Sequence, residues 1–185
     1  MHLHMTYFAK YLPTLELVFE PDMTVVRSAI PDDTFNYVFF AKFQEKNVHD
    51  RVAHVTSLYR RHRLPFSWWV GETDTPSNLA TTMIKEGLVF KEENVGMYFE
   101  CDAFQAQTPA SSLKFQRVLN LKELQDFCQI IVENGGNSQA FDLMYSKLPP
   151  VLYAEGSSFE MYVGYIDQLP VSTGILVLDA KLLIC

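Results

Sequence analysis

The sequence predicts a mixed α/β fold, and three observations lead to this prediction. The segment Pro65–Gly71 has the pattern of a strand and carries both tryptophans of the chain, Trp68 and Trp69. Neighbouring strand residues point to opposite faces, so this sheet should be covered, or bound to something, on both sides. Apolar residues recur at helical spacing between the predicted strands, and helices alternating with strands are typical of layered α/β domains. Core packing is the ordinary role of such a tryptophan pair, and a ligand pocket is the alternative.

The first part of the chain is predicted to contain four strands and two helices. One apolar face, from Val48 to Tyr59, indicates the first helix. The second helix should begin with Thr75 as N-cap and Pro76 in its first turn, and it should end at Gly87. The apolar residues of the two helices are Val48, Val52, Val55 and Tyr59, and then Leu79, Met83 and Ile84. The strands are Thr24–Ile30, Tyr37–Phe43, Phe66–Val70 and Met97–Cys101, the last with a start anywhere back to Leu88.

A polar segment without periodicity, residues 105–112, is predicted to be a linker. It divides the chain into a first unit, residues 1–104, and a second, residues 113–185. The second unit should begin with a strand at Phe115–Leu119, followed by two helices.

Asn120 should cap the first of these helices, with Glu123 completing a capping box. Its apolar stripe is Leu121, Leu124, Phe127, Cys128 and Ile131. Gly135-Gly136 should end it, and the next helix should run from Ser138 until Pro149-Pro150 breaks it. Strands at Glu160–Ile166 and Val171–Leu178 follow, joined by a turn at 167–170, and Lys181–Cys185 should open another strand.

Composition excludes several classes of protein. The chain has 185 residues, 48% of them hydrophobic, and a net charge of −7. Nucleic-acid binding needs a basic face, so an acidic chain argues against it. No apolar run is long enough to cross a membrane, and no secretory signal is recognised, so a cytoplasmic location is expected. The three cysteines are widely spaced, and His2 and His4 lie at a terminus, so no disulfide framework and no metal site are predicted.

The β-α-α-β-β order predicted from Phe115 to Leu178 resembles the beginning of the GNAT superfamily of N-acetyltransferases. The segments Ser28–Asn36, Pro65–Gly71, Asp74–Pro76 and Gly96–Tyr98 resemble the first half of a bacterial subgroup, in which a degenerate GNAT-like unit precedes the catalytic one. The resemblance implies a GNAT-like fold in tandem, acetyl-CoA as the acetyl donor, and a primary amine as the acceptor.

The family's phosphate-binding signature, Arg/Gln-x-x-Gly-x-Gly/Ala between a strand and a helix, is absent from this sequence. In the family pattern it would follow soon after Cys185. The expectation is therefore that the chain is the N-terminal part of a longer acetyltransferase, with its second unit incomplete. Alone it should bind no cofactor and be inactive. The alternative is a non-catalytic interaction or dimerisation module.

The resemblance also implies candidate site residues. The loop between the two helices helps to line the acceptor site of the family, which makes Asn134, Asn137 and Phe141 candidates for substrate contact. Glu160 is the candidate general base, because a carboxylate can take the proton of an ammonium before the amine attacks a thioester. Tyr162 should share its face of the strand and is a further candidate for substrate contact. The basic segment Arg60–Arg63 either stabilises a helix C-terminus or grips a phosphate or a partner. A sheet edge at residues 171–185 predicts a homodimer.

Overall fold

A computed structural model of the chain describes residues 6–7, 9, 12, 14–97, 112–145, 148–150, 153–178 and 183–184. The strands of these residues are β1 (Leu15–Glu20), β2 (Met23–Ser28), β3 (Tyr37–Phe39), β4 (Ser67–Trp68), β5 (Lys114–Arg117), β6 (Phe159–Ile166), β7 (Leu169–Leu178) and β8 (Leu183–Ile184). The helices are α1 (Val48–Arg61), α2 (Leu79–Lys85), α3 (Leu121–Glu133) and α4 (Ser138–Tyr145).

The strands form two sheets, and this confirms the mixed α/β class. The first sheet has the order β1-β2-β3-β4, with antiparallel pairs except for β3 and β4, which run parallel. The second sheet has the order β5-β6-β7-β8 and is antiparallel throughout. The β-α-α-β-β order predicted for the second unit is the order observed.

The first sheet is covered on both faces, as the tryptophan pair predicted. On one face, Val25 and Val38 are buried in a cluster with the apolar residues of α1 and α2. On the other, Val26 and Phe39 are buried with residues of the second sheet and its helices. The ring of Phe35 meets that of Phe141 edge-on, with 5.6 Å between their centroids. A continuous apolar core therefore joins the two sheets, and the proposed boundary at residues 105–112 stays a prediction because it lies, except for Ser112, outside the described residues.

The two tryptophans have different surroundings. Trp68 packs against the ring of Phe43 at 6.0 Å and borders the core around α1. Trp69 comes directly after β4 and remains 37% exposed. The core prediction is thus correct for Trp68, whereas Trp69 borders a surface cavity described below.

Two strands of the first unit differ from the prediction. β1 was missed, although its residues pair with the whole of β2. β3 ends at Phe39 rather than Phe43, because Phe40 has a φ of 58° and this left-handed conformation interrupts the ladder. Residues 88–97 form no strand and are largely exposed, so the earlier start at Leu88 is wrong. The strand predicted at Met97–Cys101 stays a prediction, because residues 98–101 lie outside the described part of the chain.

The start of α2 differs from the prediction for a long-range reason. The Thr75 N–H donates to the Ala41 carbonyl at 3.0 Å, and the Phe43 N–H donates to the Thr75 carbonyl at 3.0 Å. Thr75 is thereby held in a parallel bridge beside β3 and cannot cap a helix. The helix begins three residues after Pro76, at Leu79.

The predicted apolar stripes hold in all three helices, with one exposed residue in α2 and one in α3. The four predicted residues of α1 are buried, from Val48 to Tyr59, but Ile84 of α2 is 56% exposed. In α3, Leu124 and Phe127 are buried, whereas Leu121 is 59% exposed because it lies in the first turn, beyond the edge of the core.

The ends of the predicted elements in the second unit are mostly confirmed. The Asn120 side chain accepts from the Glu123 N–H, as predicted, but the Glu123 carboxylate reaches back to the Leu119 N–H rather than to that of Asn120. Asp167 and Gln168 both have positive φ and form a two-residue turn between β6 and β7, so β7 begins earlier than predicted. The additional strand expected near the C-terminus is β8, which pairs with β7.

Candidate functional site

The candidate base lies on the face of the second sheet that points away from α3 and α4. Alternation along β6 buries Phe159, Met161 and Val163 against the helices and turns Glu160 and Tyr162 to the opposite face. On β5, Arg117 is the register partner of Tyr162 and therefore shares that face. Glu160 and Tyr162 are brought together as predicted, and Arg117 joins them.

These three side chains form one hydrogen-bonded group, the Arg117–Glu160–Tyr162 cluster. Arg117 Nη1 lies 2.9 Å from Glu160 Oε1, and the Tyr162 hydroxyl donates to Glu160 Oε2 at 2.5 Å. Arg117 Nη2 also donates to the Ala154 carbonyl at 3.0 Å. The Glu160 and Arg117 side chains are only 13% and 21% exposed, so this pair is shielded from water much more than a surface ion pair.

The electrostatics of the cluster follow from these contacts. Because its hydroxyl donates to the Glu160 carboxylate, the pKa of Tyr162 is raised above its usual value. Each carboxylate oxygen of Glu160 already has one protein donor, and the negative charge is balanced by the guanidinium. In this arrangement the cluster ties β5 to β6. To receive a proton from an ammonium, Glu160 would first have to exchange Arg117 for the substrate.

The loop predicted to contact substrate lies on the helical side of the sheet. The Asn134 amide donates to the Ile130 carbonyl at 2.8 Å, and the Asn137 side chain accepts from the Ala140 N–H at 3.2 Å. Both asparagines thus act as caps, one at the end of α3 and one at the start of α4. Gly135 has a φ of 99°, the left-handed conformation that suits a glycine after a helix.

Phe141 is part of the core in this structure. It is 7% exposed and stacks on Tyr145 with 5.4 Å between the ring centroids. Its burial leaves little surface for a ligand. The five candidates therefore divide into a pair on the open face, Glu160 and Tyr162, and a group at the α3–α4 loop, with the sheet between them.

Sequence reasoning missed Arg117. The only signal available was a basic residue two positions after Phe115 on a short strand, and its partner depends on the register between β5 and β6. Arg117 Nε is buried and has no hydrogen-bond partner among the described residues, so the guanidinium is incompletely satisfied.

The described ranges offer neither a membrane-spanning helix nor a cluster of metal ligands. Within these ranges every helix is too short or too polar to cross a lipid bilayer. Among the same residues, no group of three or more His, Cys, Asp or Glu side chains could hold a metal ion.

Comparison with known proteins bears on the fold. No family model matches the chain, and no curated protein matches it. The crystal structure of a functionally unknown conserved protein from Staphylococcus epidermidis is similar, with a TM-score of 0.56 and 10% identity. The similarity covers 95% of this chain and 71% of that one. At so low an identity it supports the mixed α/β architecture and says nothing about activity.

Proposed function

We propose that the chain is the N-terminal part of a GNAT-type acetyltransferase that moves an acetyl group from acetyl-CoA to a primary amine. The observation that carries the proposal is the second sheet: strands and helices follow in the order β5-α3-α4-β6-β7, and both helices cover one face. The opposite face carries Glu160 and leaves open space beside Gly174. Further chain could pack there and complete a site around the cluster.

In this proposal Glu160 is the base. A substrate ammonium would displace Arg117 from Oε1 and give one proton to the carboxylate. Acetyl-CoA would supply the acetyl group to the neutral amine, with its thiol as the leaving group. Tyr162 keeps Glu160 oriented through the bond to Oε2.

Acetyl-CoA itself does not fit the described residues. A diphosphate needs a glycine-rich loop between a strand and a helix, with several N–H groups pointing at it. Within the described ranges, Gly135 and Gly136 follow a helix instead, and the strand-to-helix connection before α3 contains no glycine. Residues 1–185 alone are therefore proposed to be inactive.

The test is acetylation of amines by the protein made from its full genomic reading frame. We expect this protein, incubated with acetyl-CoA and a panel of primary amines, to form an acetylated amine that mass spectrometry detects. Direct detection of product avoids thiol reagents, which the three cysteines of the chain would consume. Residues 1–185 serve as the matched inactive control, and Glu160→Gln should abolish most of the product. A reading frame without the Arg/Gln-x-x-Gly-x-Gly/Ala signature, or product unchanged in Glu160→Gln, would contradict the proposal.

A second candidate function, a dimerisation module, is favoured by an apolar patch on the open face. Ile166 pairs with Leu169 across the hairpin, and Phe115 pairs with Gly164 on the same face. Phe115 and Leu169 are 63% and 67% exposed. Exposed apolar patches beside a sheet edge such as β5 are typical of association surfaces.

Light scattering as a function of concentration tests the dimer. We expect association through this patch, and we expect Phe115→Asp and Leu169→Asp each to shift it toward monomer. The matched control is Phe19→Asp, since Phe19 is similarly exposed, at 62%, but lies on the first sheet. A monomer at every concentration would remove this candidate.

A further inference from the structure

A cavity in the first unit lies apart from the Arg117–Glu160–Tyr162 cluster. Its volume is about 220 Å³, and it opens beyond the ends of the parallel strands β3 and β4. In open sheets the space beyond the carboxyl ends of parallel strands is a frequent place for ligands. The lining residues are Phe39, Phe40, Trp69, Gly71, Glu72, Thr73 and Asp74.

The backbone around this cavity is held in place at both ends of the 69–75 segment. The Trp69 N–H donates to the Val38 carbonyl at 2.9 Å, and the Thr75 N–H donates to the Ala41 carbonyl at 3.0 Å. Between these points the segment closes on itself, because the Asp74 N–H donates to the Gly71 carbonyl at 3.0 Å. The cavity is therefore a preformed feature of the fold, which lowers the entropy cost of binding.

Asp74 supplies an unsatisfied acceptor to this cavity. Its residue is 7% exposed. Oδ2 accepts from the Gly71 N–H at 3.2 Å, whereas Oδ1 is buried and has no hydrogen-bond partner among the described residues. Oδ1 lies 4.0 Å from the position that a Cβ atom would take at Gly71, so a side chain at that position would lie in van der Waals contact with it.

The groups around Asp74 do not bring its pKa back to the ordinary value for a carboxyl. Burial raises its pKa, and the Gly71 and Ala41 N–H groups and the Lys42 ammonium offset this only in part. The Lys42 ammonium donates instead to the Thr73 carbonyl. Glu72, the other carboxylate at the cavity, is exposed and adds negative charge at its rim.

The walls of the cavity are aromatic. The rings of Phe39 and Phe40 meet edge-on with 4.9 Å between centroids, and Trp69 lines the cavity while remaining 37% exposed. The faces of aromatic rings attract cations, and indole does so most strongly. Aromatic rings beside a buried acceptor therefore match a ligand that is apolar, positively charged and able to donate a hydrogen bond.

We propose that this cavity binds a small protonated alkylamine, whose ammonium donates to Asp74 Oδ1 and whose carbon chain lies against Trp69 and Phe40. A bare metal ion fits less well, because Ca²⁺ and Mg²⁺ require about six oxygen ligands and three of the seven lining residues are aromatic. A neutral apolar molecule would leave Oδ1 unpaired. The proposal does not depend on acetyl transfer, since every residue that it uses lies in the first unit.

The test is the binding of isobutylammonium to residues 1–185, measured by calorimetry and by tryptophan fluorescence. Phosphate buffer is used because it contains no competing amine. The Trp68→Phe background leaves Trp69 as the single tryptophan, and this exchange loses no hydrogen bond because the Trp68 indole N–H has no partner among the described residues. Isobutanol is the neutral control of similar shape. Tetramethylammonium is the cation that cannot donate a hydrogen bond.

The expected order of affinity is isobutylammonium, then tetramethylammonium, then isobutanol. Asp74→Asn should weaken isobutylammonium binding by about 10-fold or more, the usual effect of losing a charge-assisted hydrogen bond. Trp69→Leu should weaken it by roughly 3- to 30-fold through loss of the cation–π contact. Glu72→Gln is the matched control, because it removes the same charge from an exposed position, and it should have a much smaller effect.

Three results would overturn the proposal. The first is absence of isobutylammonium binding to the folded wild type at millimolar concentration. The second is isobutanol binding as tightly as isobutylammonium, which would make the cavity a purely apolar one. The third is equal weakening by Asp74→Asn and Glu72→Gln, which would reduce the effect to long-range charge. Circular dichroism of each variant establishes that it is folded before its affinity is compared.

Discussion

Replacing Asp74 by asparagine should stabilise the protein in the absence of ligand. The carboxylate is buried with one oxygen unpartnered, and burial raises its pKa above the ordinary value of 3.8. A carboxyl whose pKa is higher in the folded state than in the unfolded state favours folding at low pH. This contribution is complete below the unfolded pKa and is lost as the pH rises through the folded pKa. At neutral pH the ionised Asp74 is therefore a cost to stability.

The size of this effect follows from the hydrogen bonding. A buried polar group without a partner costs about 1–3 kcal/mol. Asparagine keeps the acceptor for the Gly71 N–H and removes the charge, but it leaves an unpaired amide N–H₂ in the same place. We therefore expect a net gain of about 1 kcal/mol at neutral pH, in the lower part of that range. For a chain of this size such a gain raises the melting temperature by about 2–4 °C.

The assay is thermal and urea unfolding of wild type and Asp74→Asn across the acid-to-neutral range, in amine-free buffer. The difference in unfolding free energy should be small near pH 3 and should grow in favour of the variant as the pH rises. Glu72→Gln is the control and should show little pH-dependent difference, because that side chain is exposed. A variant less stable than wild type at neutral pH, or a difference independent of pH, would refute the reasoning.

Three further predictions concern other parts of the fold. Glu160→Gln should lower the unfolding free energy by about 1–2 kcal/mol, because it breaks a largely buried charged contact with Arg117. A double-mutant cycle with Arg117→Gln should show coupling between the two residues, and additive effects would contradict the contact. Gly136→Ala should destabilise by about 1–3 kcal/mol, because its Cβ would lie 2.9 Å from the Ile131 carbonyl oxygen, whereas Gly174→Ala, with nothing within 4 Å, should cost much less in the same melts. Burial raises the pKa of Cys128 to about 12, so peptide mapping should find it alkylated far more slowly at pH 8 in the folded than in the unfolded chain, and equal rates would contradict its burial.

Local sequence patterns were sufficient to predict the helices and the ends of several helices and strands. The spacing of Val48 to Tyr59 identified the buried face of α1, and Asn120 was recognised as a cap because its side chain acts on the next turn of the same helix. The strands β6 and β7 were also predicted, and alternation is continuous through most of β6. These signals require no knowledge of distant residues.

The errors arose where distant residues decide the local structure. Thr75 and Pro76 have the composition of a helix start, but pairing with Ala41 and Phe43 holds Thr75 in a bridge. Phe40 adopts a positive φ that a phenylalanine gives no reason to expect. Both departures lie beside the cavity, and together they place Trp69 and Asp74 around it.

The candidate site shows the same limit. Alternation along β6 was enough to place Glu160 and Tyr162 on one face. The contact of Glu160 with Arg117 depends on the register of β5 against β6, which no local pattern specifies. The assignment of Phe141 to substrate contact came from the family resemblance, and the packing of that ring on Tyr145 depends on tertiary structure.

Calorimetric titration with acetyl-CoA tests the proposed acetyltransferase most directly, when residues 1–185 and the product of the full reading frame are measured side by side. The account predicts micromolar binding by the full product and no binding by residues 1–185. Micromolar binding by residues 1–185, or no binding by either protein, would contradict it.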